Sequence, residues 1–131
     1  MRVKFYLIIL LWLFFSCNTG SYIYRKPVIG LIYDDKIPLP DVSIVYDSSD
    51  ILSPRNVTTN KKGQFILPKI EIKNYHNFIK SIRGINSIII LKKKGYDIKK
   101  INLKAYDRNK DTIDIGTIYL QSKQSGVLNL K

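Results

Sequence analysis

The stretch VIGLIYDDKIPLPDVSIVY, residues 28–46, decides the fold class. Residues 28–33 are apolar at nearly every position, the pattern of a strand covered on both faces. Asp34-Asp35-Lys36 then makes a polar turn, and Pro38 and Pro40 withhold backbone donors, so regular pairing cannot resume before Asp41. Val42, Ile44 and Tyr46 alternate with Ser43, Val45 and Asp47, the two-residue period of a half-buried strand. Two strands joined by a short proline-bearing turn set a β architecture for the chain.

Downstream, the same alternation of brief apolar runs and turn residues continues. Residues 47–55 are a loop rich in Ser and Asp. Residues 56–59 and 64–67 flank Asn60-Lys61-Lys62-Gly63, a four-residue turn with glycine where positive φ is needed, and predict a hairpin. Ile70 and Ile72 alternate with Glu71 and Lys73. Residues 74–86 read as a loop that can carry a helical turn: Tyr75, Phe78, Ile79 and Ile82 fit a helical face over one or two turns, while Gly84 and several asparagines favour a loop. Residues 88–91 are dense enough in isoleucine for a central strand. Beyond Lys92-Lys93-Lys94-Gly95, Tyr96 and Ile98 share one phase while Ile101 and Leu103 share the other, which predicts a β-bulge at Lys99-Lys100. A second slip is expected at Gly116, where Ile113 and Ile115 give way to Ile118 and Leu120. Seven short strands without βαβ alternation predict an all-β fold, a seven-stranded antiparallel Greek-key sandwich over residues 27–121, with a polar tail at 122–131.

Upstream lies a different kind of segment. Arg2 and Lys4 precede an uncharged apolar run, residues 5–15, and the sole cysteine, Cys17, follows small Ser16. A spanning helix needs roughly 20 apolar residues, so this run suits the centre of a secretory signal instead. The order of charge, apolar run, small residue and cysteine resembles a bacterial lipoprotein signal. That resemblance implies removal of residues 1–16, a diacylglyceryl group on the Cys17 thiol, and acylation of the new amine by a palmitate-like chain. Two or three acyl chains anchor stably where one is marginal. Residues 17–26 would then be the lipidated cysteine and its tether. Asn18 follows the cysteine and residues 18–24 carry no acid, which in similar lipoproteins implies the outer membrane, facing the periplasm.

Charge narrows the partners. Lys and Arg outnumber Asp and Glu by 22 to 10, a formal charge of +12. Loss of Arg2 and Lys4 with the signal leaves +10, still a field that attracts polyanions. An exported address sets nucleic acid aside and leaves anionic headgroups and envelope polymers. Lys92, Lys93, Lys94, Lys99, Lys100 and Lys104 form a candidate basic surface, with a solvated, aggregation-resistant edge as the alternative. One cysteine excludes an intramolecular disulfide, and with His76 the only histidine a Cys/His zinc site cannot be assembled.

Within the body, Val28-Ile29-Gly30-Leu31-Ile32 followed by Ile37-Pro38-Leu39-Pro40-Asp41-Val42 resembles the opening of carboxypeptidase regulatory-like domains. Thr59, Gly63, Phe65 and Leu67 match that family's next block, Gly95-Tyr96 its late Gly-Tyr pair, and residues 113–120 its closing strand. The resemblance implies a transthyretin-like (prealbumin-like) sandwich in which Gly30, Pro38, Gly63, Phe65, Gly95 and Tyr96 serve structure. Ile37 stands where the family has a turn glycine, and Lys62 replaces its acid.

No catalytic constellation is legible: His76 stands in a polar stretch without a nucleophile and acid beside it. Asp107-x-Asn109-x-Asp111 opens like a calcium loop, but Thr112 holds the sixth position and no closing glutamate follows, so neither metal nor cofactor is expected. The expectation is a non-catalytic, membrane-anchored envelope lipoprotein, an accessory module for an envelope protein partner, engaged by exposed loops or strand addition. A carbohydrate-binding module for envelope or nutrient glycans is the alternative. Nine tyrosines favour it, while the only tryptophan, Trp12, lies in the signal.

Overall fold

A computed structural model describes residues 20–47, 52–54 and 57–123. Cys17 and the signal, most of the 47–55 loop and most of the tail lie outside the described residues. The strands are β1 (Tyr22–Arg25), β2 (Val28–Asp34), β3 (Ile37–Pro38), β4 (Ser43–Tyr46), β5 (Val57–Thr58), β6 (Gln64–Leu67), β7 (Ile70–Ile72), β8 (Ile88–Lys92), β9 (Lys99–Asn102) and β10 (Ile113–Tyr119). One helix, α1 (Tyr75–Ile82), and a 3₁₀ turn at Leu103–Ala105 interrupt them.

The fold is all-β in character, as the sequence predicts, with several antiparallel sheets. In the first sheet β2 is central. It pairs with β10 on one side and with β6 and then β3 on the other. The second sheet runs β5-β4-β8-β9, antiparallel throughout. A separate two-stranded ribbon joins β1 to β7. The period-two residues do what their spacing demands: Val28 and Ile32 from the first sheet and Ile44, Ile89 and Leu91 from the second are fully buried in one core. Phe65 and Leu67 from β6 and Ile113, Ile115 and Ile118 from β10 complete it.

Four details differ from expectation. Ten strands are present among the described residues rather than seven; the additions include β1, in the expected tether, and β3, where Ile37 and Pro38 pair with Asp34 and Tyr33 although the prolines were expected to bar pairing before Asp41. The β2–β10 pair is parallel, not antiparallel, since β10 enters that edge from the far end of the chain. The stretch expected as tether contains β1, whose Tyr24 and Arg25 are buried. The stretch expected as loop contains α1: the Asn74 side chain accepts the Asn77 N–H at 3.1 Å, an N-cap that starts the helix despite the surrounding asparagines.

The two expected slips resolve differently. At Gly116, with φ of +67°, the β2–β10 register shifts between Asp114 and Thr117, and the Asp114 carboxylate accepts the Gly116 N–H at 2.8 Å. Near Lys99 the phase change is a strand break rather than a bulge. Tyr96 makes an isolated bridge to Ser122, and β9 begins only at Lys99.

Candidate functional site

The most distinctive backbone feature arises at the 60–63 turn. Gly63 takes φ of +72°, and a side chain there would run into the Ile32 carbonyl oxygen. The turn closes as a hairpin, with Asn60 N–H donating to the Gln64 carbonyl at 2.9 Å and Gly63 N–H to the Asn60 carbonyl at 2.9 Å. One residue beyond the turn the two arms part. Thr59 N–H donates to the Val42 carbonyl, and the Thr59 Oγ1 hydroxyl donates to the Leu39 carbonyl at 2.6 Å while accepting the Val42 N–H at 3.0 Å. These bonds draw β5 onto β4 in the second sheet, while β6 stays with β2 in the first.

The parting leaves an edge. The Gly63 carbonyl accepts Ile32 N–H, so Gly63, Phe65 and Leu67 turn their backbone groups toward β2. By the alternation of an antiparallel ladder, Gln64 and Ile66 turn theirs away. Gln64 is satisfied by Asn60, but no backbone partner meets Ile66 among the described residues. Its side chain is 66% exposed. Beside it an open groove of about 620 Å³ runs from Val57 and Thr58 past Gln64 and Ile66 to Ile29 and Leu31.

A second concavity, about 260 Å³, lies under β1. The Arg25 guanidinium sits 3.8 Å from the Tyr46 ring centroid, and its Nη1 donates to the Asn86 carbonyl at 2.9 Å. The Tyr46 hydroxyl is buried and has no hydrogen-bond partner among the described residues. Burial pushes its pKa up, with the Arg25 charge pulling the other way. At the rim Lys26 Nζ donates to both Asp107 carboxylate oxygens, at 2.8 and 3.1 Å, and this bond holds that carboxyl below its ordinary range.

The residues singled out in the sequence fall as follows. Gly30 faces the core, where an added Cβ would lie 2.6 Å from Ile115 and 2.8 Å from Phe65. Pro38 sits in β3, and Gly95 takes φ of +85° in the turn before Tyr96. The Tyr96 hydroxyl donates to Asp34 at 2.9 Å, which raises its pKa. Half of the lysine set is engaged: Lys93 Nζ donates to the Pro40 carbonyl, Lys99 Nζ to the Tyr119 carbonyl, and Lys100 pairs with Asp47 at 3.0 Å. Lys92, Lys94 and Lys104 are exposed. Of the six, only Lys100 is paired with an acid; Lys93 and Lys99 keep their full charge while bonded to carbonyls. His76 is exposed on α1, and no three His, Cys, Asp or Glu side chains converge among the described residues.

Sequence reading missed β1, Arg25 and the parting of β5 from β6. The alternation of Tyr22 and Tyr24 with Ile23 was the available signal for β1. The parting has no local signal, because Thr59 acts through Leu39 and Val42, which are remote in sequence. Comparison with known proteins finds no matching family model, no matching curated protein and no matching solved structure.

Proposed function

We propose that the protein is a non-catalytic envelope lipoprotein, anchored through Cys17, whose β body is an accessory module that accepts an extended segment of an envelope protein along β6. One observation carries the acceptor role: Ile66 offers an N–H and a carbonyl to solvent beside a groove of about 620 Å³ with apolar walls. Main-chain bonds to such an edge give affinity, and side-chain pockets beside it give selectivity. The charge, apolar run and cysteine at the front end support lipidation and an outer-membrane location facing the periplasm. The order of β2, β6, the Gly95-Tyr96 turn and β10 supports a Greek-key, transthyretin-like arrangement of the carboxypeptidase regulatory-like kind.

Affinity purification of the tagged chain from detergent-solubilised envelopes tests this. One stoichiometric protein partner, lost with Ile66→Pro, is the expected result. Proline removes the outward N–H while leaving the inward ladder of β6 intact. Recovery of polysaccharide alone would refute it.

That second outcome has its own observation in favour. Tyr33 and Tyr119 meet edge to face at 6.4 Å on the outer side of the first sheet, with Tyr119 largely exposed. Asp34, Asp35, Asp97 and Tyr119 line a shallow depression there. Aromatic faces with carboxylates beside them suit a sugar ring, so the glycan reading is tested by Tyr119→Ala in a glycan-binding assay.

A further inference from the structure

We propose that the ribbon-and-helix unit, built from β1, β7 and α1, is a docking face for an anionic bilayer surface. α1 carries Tyr75, Phe78, Ile79 and Ile82 on one stripe, yet none of its residues is buried. The Tyr22 ring stacks on Phe78 at 5.2 Å and leans on Tyr75 at 5.3 Å, which fixes the helix to β1. Ile23, Tyr75 and Ile82 nevertheless remain exposed. An apolar stripe of that size is too small for a core and well suited to shallow insertion among headgroups, where tyrosine is favoured.

Charge points to the same occupant. Residues 69–83 hold Lys69, Lys73, Lys80 and Arg83 against a single acid, Glu71. Lys69 holds that acid at 2.7 Å, which lowers its pKa, keeps it ionised and offsets its charge. The remaining cations, Lys73, Lys80 and Arg83, are exposed on the same unit, and their net positive charge attracts anionic lipids.

Chain length supplies the third argument. Only five residue steps separate Tyr22 from Cys17, a reach of at most about 18 Å. The inference rests on the lipoprotein reading for this point alone: an anchor at Cys17 holds the start of β1 within that reach of the lipid.

The test uses the full chain purified from envelopes and reconstituted into vesicles of phosphatidylethanolamine and phosphatidylglycerol. Tyr75→Trp, in a Trp12→Phe background, provides a single indole, and Ile82→Trp an independent one. Acyl chains brominated near the headgroup should quench both and shift their emission to the blue. Lys73→Gln with Lys80→Gln should lower the contact equilibrium about thirtyfold, whereas Lys92→Gln with Lys94→Gln should leave it unchanged. The intact mass of the same sample reads lipidation separately. A lipidated chain with both indoles unquenched overturns the docking face and spares the lipoprotein reading. Quenching without lipid on Cys17 does the reverse. Equal losses from the two lysine pairs, or quenching only when a second envelope protein is added, overturn the face.

Discussion

Two hairpins bring their second strands to sheet edges, and they treat those edges in opposite ways. β8 and β9 stay paired from Ile88–Asn102 to Leu91–Lys99 within one sheet, and β9 presents Lys99 and Lys100. Both lysines are committed, one to the Tyr119 carbonyl and one to Asp47. Charged residues on an edge discourage a further strand. β5 and β6 instead separate after one bonded pair, and β6 presents Ile66. The difference teaches how an edge is left open: β9 carries lysines, whereas among the described residues β6 is left unpaired on one side by a hairpin divided between two sheets.

The comparison can be broken at several points, and the turn gives the largest effect. Gly63→Ala forces a side chain into a left-handed conformation against the Ile32 carbonyl oxygen. A loss of about 3 kcal/mol in urea unfolding is expected. Next is Thr59, whose buried hydroxyl bonds both Leu39 and Val42. Thr59→Val should cost about 2 kcal/mol by leaving those two backbone groups unsatisfied. It should also let β5 relax toward β6, read as slower amide exchange at Ile66.

Smaller effects probe the guarded side. Tyr46→Phe deletes a buried hydroxyl that has no partner among the described residues and should be neutral or stabilise by about 1 kcal/mol. Because burial raises the Tyr46 pKa, the native protein should hold full stability below the ordinary tyrosine range and lose it as pH rises through the raised value. The phenylalanine variant should lack that alkaline loss in a pH series of melting curves. Lys100→Gln breaks an exposed pair with Asp47 and should cost no more than about 0.5 kcal/mol. Its visible effect should be increased self-association in sedimentation, since the β9 edge loses a guard.

How far the sequence could be read depends on the range of the interactions involved. β2, β6 and β10 announce themselves through alternation or density of isoleucine, valine and leucine, which is local information. Gly63 and Gly116 were legible for the same reason, because a backbone that must take positive φ selects glycine wherever it lies. α1 was half visible: its apolar spacing was present, but the weight of asparagine hid that Asn74 is a cap. The partners of Lys93, Lys99 and Lys100 were not legible at all. Each reaches a carbonyl or carboxylate 20 or more residues away. The open edge at Ile66 belongs with these, since it exists only because remote Leu39 and Val42 pull β5 aside.

The most direct measurement is amide hydrogen exchange along β6, in the free protein and in the complex recovered from envelopes. An unpaired Ile66 N–H should exchange far faster than those of Phe65 and Leu67 in the free state, then become as slow as theirs when the partner is bound. An Ile66 amide already protected in the free protein, or one that stays fast in the complex, would contradict strand addition at this edge.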